Sequence, residues 1–178
     1  MTDPAPLAAA NLAFVRQGYA LLEAIDDDAF VRVAPPIYGS GVGAHLRHCL
    51  DHYAQFLDGW RAGRIDYDAR GRDPRVECDR AVAAAVLGAV VDGLCAVAPG
   101  DVDRPVTVTM DCGDDDVACS GADCPSTVRR ELMFLVSHTV HHYAIIAQIL
   151  RHQGIDVPDG FGVAPSTLRH RRQADVRL

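Results

Sequence analysis

Three histidines stand close together in one apolar segment, His138, His141 and His142 within Ser126 to Gln153 (STVRRELMFLVSHTVHHYAIIAQILRHQ). Three more, His45, His48 and His52, fall in Gly41 to Tyr53 (GVGAHLRHCLDHY). Histidine is the commonest metal ligand among side chains, and two of them four residues apart on a helix project from one face and can grip one ion. With His138 at 0° and 100° per residue, His142 falls at roughly 40°, Glu131 and Ile149 near 20°, Leu135 near 60° and Ile145 near 340°. His138 and His142 therefore share the core-facing stripe. His141, at roughly 300°, is displaced to the flank and is the weakest ligand of the three. Two buried neutral imidazoles need partners for their polar nitrogens, and one metal ion satisfies both. A site of three histidines leaves a coordination position open, the arrangement of a catalytic zinc site, where bound water or a thiol becomes acidic near neutral pH.

The third ligand is less determined. On the helix that holds Gly41 to Tyr53, the apolar stripe centres about 140° from His48, with His45 and His52 roughly 80° and 100° from that centre. Periodicity alone favours His45 or His52 as the inward residue. His48 and His52 nonetheless form an i, i+4 pair, on a polar side with His45, Asp51 and Gln55 that suits the lining of a cleft. Asp51 and Glu131 are candidates to orient a ligand ring from behind.

Four long helical patterns can position these residues. The first, about Pro6 to Ile25, repeats apolar residues at three- and four-residue spacings and ends before Asp26, Asp27 and Asp28. A linker follows, with room for a short turn at Asp26 to Phe30. The second opens after Ser40 and runs to about Arg61 along Leu46, Cys49, Leu50, Tyr53, Phe56, Leu57 and Trp60. Arg61 to Asp73 reads as an exposed loop. The third helix spans about Pro74 to Val97, with Pro at its first turn. Val102, Val106 and Val108 then alternate with polar residues, which predicts a strand, a turn around Cys112 to Asp116 and a return strand at Val117 to Ser120. Pro125 and Ser126 open the fourth helix and Gly154 closes it. The tail beyond, with Pro158, Gly160, Gly162 and Pro165 before Arg169, His170, Arg171 and Arg172, reads as irregular chain packed on the bundle and frayed at its end, its basic cluster pairing with surface carboxylates. The expected fold is all-α: a four-helix bundle with a crossover connection and a small β-hairpin before the last long helix.

Composition narrows the function classes. The chain has 178 residues, enough for one domain with a core, expected to cover 1–178 with the bundle at about 6–154 and the tail at 155–178. Its 17 basic and 24 acidic residues leave a formal charge of -7, which opposes nucleic-acid binding. The N-terminus lacks the basic start of a secretion signal, and Ala81 to Val91, taken as the longest charge-free run, is shorter than the ~20 apolar residues of a membrane span. No nucleic-acid or membrane partner is expected. The six cysteines lack tight CxxC spacing, and Cys112, Cys119 and Cys124 match no compact zinc knuckle; reduced thiols in the cytoplasm are the expectation.

The sequence resembles the DinB/YfiT-like superfamily of bacterial metal-binding four-helix bundles, which includes thiol-dependent S-transferases. The matching pieces are VGAHLRHCLDH at Val42 to His52, where a histidine precedes an aspartate by three positions, and SHTVHH at Ser137 to His142. The resemblance extends to about Gly154. It implies that the metal ligands are His48, His138 and His142, choosing His48 where periodicity prefers its neighbours. Zinc or nickel suits such a donor set, with a low-molecular-weight thiol as a possible second cofactor. The expected function is a metal-dependent transferase or hydrolase acting on a small-molecule substrate, against a non-catalytic metal-binding or stress-response bundle. The nearly all-apolar surface of the fourth helix, with Leu132 to Val136 in a row, predicts a homodimer.

Overall fold

The computed structural model describes residues 5–111 and 123–175. The chain is mostly helical with a small three-stranded sheet. Four long helices dominate: α1 (Pro6–Ala24), α3 (Val42–Gly59), α5 (Arg80–Cys95) and α6 (Val128–His152). Each of α1 and α3 packs against both α5 and α6, so the core lies between the four. Short helices α2 (Asp27–Val31) and α4 (Pro74–Cys78) precede α3 and α5, and α7 (Pro165–Asp175) ends the described chain.

Local chemistry explains where these elements differ from expectation. Asp26 caps α2, its side chain accepting from the Ala29 N–H at 2.8 Å, and so gives the linker its helical turn. The helix expected from Pro74 to Val97 is broken at Asp79. That residue is extended, its N–H bonds the Arg75 carbonyl and closes α4, and its carboxylate accepts from Ala81 and Val82 and opens α5. A side-chain cap thus outcompetes one more turn of continuous helix. The break brings α4 across the start of α3, where a β-carbon on Gly43 would come 2.1 Å from the Glu77 carbonyl oxygen. Only glycine admits that approach.

Arg61 to Asp73, expected as an exposed loop, contains strand β1 (Arg64–Asp66). Ile65 and Tyr67 alternate inward and are fully buried, a period-two pattern too short to stand out among the polar residues around it. β1 pairs in parallel with β2 (Pro105–Thr109), and β2 pairs antiparallel with β3 (Asp123–Thr127), Val106 opposite Ser126. The expected turn at Cys112 to Asp116 and return strand at Val117 to Ser120 lie outside the described residues. Pro125 and Ser126 belong to β3, and the N-cap of α6 is Thr127, which accepts from Arg130 N–H at 3.2 Å.

The tail also departs from expectation. Pro165 opens α7, whose arginines form no ion pair with a carboxylate among the described residues. Before it, Gly162 (φ +67°) sits against the Tyr143–Ala144 backbone of α6, and Phe161 stacks on Tyr143 with ring centroids 4.7 Å apart. The charge-free run from Leu132 to Leu150 is longer than Ala81 to Val91, because histidines interrupt it without adding Asp, Glu, Lys or Arg. By length and composition α6 could cross a membrane. Here its inner face is that of a core helix, with Leu132, Leu135, Tyr143, Ile146, Ile149 and Leu150 buried against the other helices.

Candidate metal centre

The histidine-bearing faces of α3 and α6 are held together by a buried polar chain. Tyr53 donates to Asn11 Oδ1 at 2.8 Å, and the Asn11 amide donates to the Leu132 carbonyl at 3.0 Å. Thr139 donates to Tyr53 at 3.2 Å and, alternatively, to the Leu135 carbonyl at 2.7 Å. Tyr53 follows His52 and Thr139 follows His138, so this network fixes the turns that carry the histidines. Buried hydrogen bonds of this kind are directional, which apolar packing is not.

His48 from α3 meets His138 and His142 from α6. One ring nitrogen from each lies within 4.8 Å of the others, a group able to hold a metal ion. His48 Nε2 and His138 Nε2 are 3.2 Å apart. Burial is the first cause that keeps all three imidazoles neutral, followed by the neighbouring histidines; it lowers His48 to about 3, His138 to about 2 and His142 to about 4. Neutral rings offer the lone pairs that a metal needs.

The other histidines have different surroundings. His52 is buried and occupied at both nitrogens: Nδ1 donates to the His48 carbonyl at 2.8 Å, and Nε2 accepts from Arg70 at 3.1 Å. Its ring stacks on Tyr67, centroids 5.5 Å apart. His45 stands beside His142, with their Nδ1 atoms 3.1 Å apart. His141 is exposed and outside the three-histidine group. Asp51 is paired with Arg47 at 2.7 Å, and Arg47 also binds Glu77. Glu131 is fully buried and accepts from Tyr67 at 2.9 Å, from Ser126, and from Arg130 at 3.1 Å. Neither carboxylate bonds a histidine of the cluster, so the expectation that Asp51 or Glu131 orients a ligand ring does not match their hydrogen bonds. Arg70 and Tyr67 escaped sequence reasoning because they lie in the stretch expected to be loop; the Ile65, Tyr67 alternation was the available signal.

Residues 16–146 match the family model of the DinB superfamily. The chain belongs to the DinB superfamily. It is also similar to FK506-binding protein 5 of Rhizopus delemar, at 32% identity over 108 residues, which cover 60% of this chain and 27% of that protein. The chain thus spans about a quarter of that relative's length.

The DinB assignment raises the question whether these residues suit a metal ion. Zinc–nitrogen bonds of about 2.05 Å in a tetrahedron place two donor nitrogens ~3.3 Å apart. The 3.2 Å between His48 Nε2 and His138 Nε2 agrees with that edge. The donor set is all imidazole, which suits zinc, nickel or copper over calcium or magnesium. The residues present in this DinB chain fit a borderline divalent ion.

Proposed function

We propose that this protein is a metal-dependent enzyme of the four-helix-bundle type in which His48, His138 and His142 hold one divalent ion, zinc or nickel. Its reaction is thiol S-transfer onto an electrophile or hydrolysis of a small-molecule substrate. The observation that carries the reading is the convergence of three neutral imidazole donors within 4.8 Å, supplied by two helices. Packing of α1 and α3 against both α5 and α6 supports the bundle. When bound, the ion would acidify a coordinated water or thiol at the position that three protein ligands leave open. The chain's own residues hold the donors unprotonated, fix their helices through Asn11, Tyr53 and Thr139, and set Phe134 as an apolar wall 5.6 Å from the His138 ring. A low-molecular-weight thiol is the proposed second cofactor.

Metal analysis of protein purified without a histidine tag tests the first part; one equivalent of zinc or nickel is expected. Thiol donors paired with electrophiles, beside a hydrolase panel, test the second. Bound metal with no turnover in either would turn the proposal toward the non-catalytic metal binder, and failure to bind any divalent ion would end it. We further propose one domain over 1–178, a cytoplasmic setting and a homodimer, without nucleic-acid or membrane partners. Met133, 57% exposed on α6, supports the dimer, which sedimentation equilibrium would test.

A further inference from the structure

We propose that His45 is a positioning residue for the ligand His142: it accepts the Nδ1–H of that ring and so turns His142 Nε2 to the ion. This inference rests on the metal reading given above. The two Nδ1 atoms are 3.1 Å apart, with ring centroids separated by 5.4 Å. Between two neutral imidazole nitrogens at hydrogen-bond distance, one carries the proton and the other accepts it. An imidazole that binds a metal presents a lone pair on one nitrogen and carries its hydrogen on the other. Because Nδ1 of His142 faces His45, Nε2 is the nitrogen left for the ion and Nδ1 is the donor. His45 must then be the acceptor, in its Nε2–H tautomer.

The neighbouring groups point the same way. His45 is not a fourth ligand, since the nitrogens that gather within 4.8 Å belong to His48, His138 and His142 among the described residues. His52 cannot take over the task while the His48 carbonyl and Arg70 occupy its two nitrogens. His138 differs: its Nδ1 is buried and finds no hydrogen-bond partner among the described residues. Of the two ligands on α6, His142 is thus the one whose outer nitrogen has a side-chain partner among the described residues. His45 and His48 lie three residues apart on α3, so one turn of that helix contributes both a ligand and the group that orients a ligand of α6. A carboxylate commonly fills that second position. Here Asp51 and Glu131 are engaged elsewhere, and an imidazole fills it.

The test compares wild type with His45→Ala, His45→Asn and His142→Ala, each as metal-free full-length protein. Zinc affinity is measured by competition with a chromophoric chelator, and the ligand set by the visible spectrum of the cobalt(II) form. His45→Ala is expected to keep a stoichiometry of one and the wild-type cobalt band pattern, while zinc affinity falls ~10- to 100-fold, the range for loss of an outer-shell partner. His45→Asn, whose amide oxygen can accept the same hydrogen, is expected to recover most of that loss. Unchanged affinity in His45→Ala would overturn the assignment. So would a cobalt spectrum altered in the manner of His142→Ala, which would make His45 a ligand, or a loss that His45→Asn fails to restore. Wild type that binds neither zinc nor cobalt would be a different result, refuting the metal reading itself and this inference with it.

Discussion

Two polar clusters lie side by side in this molecule, one around the fully buried Glu131 and one of half-buried histidines, and they resolve burial in opposite ways. In the first, Glu131, Tyr67, Ser126 and Arg130 satisfy one another, and His52 is closed off by the His48 carbonyl and Arg70. In the second, half-buried His48, His138 and His142 each bring a ring nitrogen within 4.8 Å of the others, and among the described residues His138 Nδ1 has no hydrogen-bond partner. Buried polar groups are nearly always paired. The closed cluster therefore reads as structure, while the three ring nitrogens gathered in the other could hold a metal ion. Within the closed cluster Tyr67 donates to Glu131 while its ring stacks on His52.

That contrast is sharpest where one side chain is removed from each cluster. His138→Ala or His142→Ala is expected to abolish stoichiometric zinc binding, measured by metal analysis after dialysis, with the fold retained by circular dichroism. Retained stoichiometry in both would break the comparison at its centre. Glu131→Ala should do the reverse. It strands the Tyr67 hydroxyl and deletes a buried acceptor, so unfolding free energy should drop by ~2–4 kcal/mol in denaturant titration, with one metal still bound. A variant that loses its metal without losing stability would instead put Glu131 behind the ligands.

Protons should probe the converging histidines as well. In the folded, metal-free protein His48, His138 and His142 sit below their ordinary value of 6.5, first because they are buried. Above pH 6.5 both folded and unfolded chains leave these rings neutral and their contribution to stability is complete. As the pH falls below 6.5, the unfolded chain takes up protons that the folded chain refuses, and stability declines progressively toward pH 4. Thermal melts of metal-free protein across that range should show it. His48→Ala should flatten the slope, and an unchanged slope would mean that other groups dominate.

The sequence made some of this legible and hid the rest for identifiable reasons. The pairing of His138 with His142 follows from helical period alone, and it is these two that share the cluster. His48 could not be found that way, because the apolar stripe of α3 faces away from it; a likeness of motif selected it over His45 and His52. Their roles depend on partners remote in sequence, Arg70 for His52 and His142 for His45, which periodicity within α3 does not contain. The break at Asp79 and the strand at Arg64–Asp66 were missed because a single cap and a three-residue strand are weaker signals than the runs around them.

The smallest expected effect is also the finest probe of the boundary. Arg70→Met removes the donor to His52 Nε2 and should lower stability by ~1 kcal/mol, the net worth of such a bond, with metal stoichiometry unchanged. It also leaves His52 with a free nitrogen, its ring centroid 4.0 Å from that of His138. If His52 is closed only by Arg70, the double variant His48→Ala/Arg70→Met should bind zinc better than His48→Ala alone, because a replacement imidazole becomes available. If the double variant binds no better, the Nδ1 bond to the His48 carbonyl and the stack on Tyr67 are sufficient to hold the ring away from the ion. The separation between the two clusters would then be set by packing as much as by hydrogen-bond occupancy.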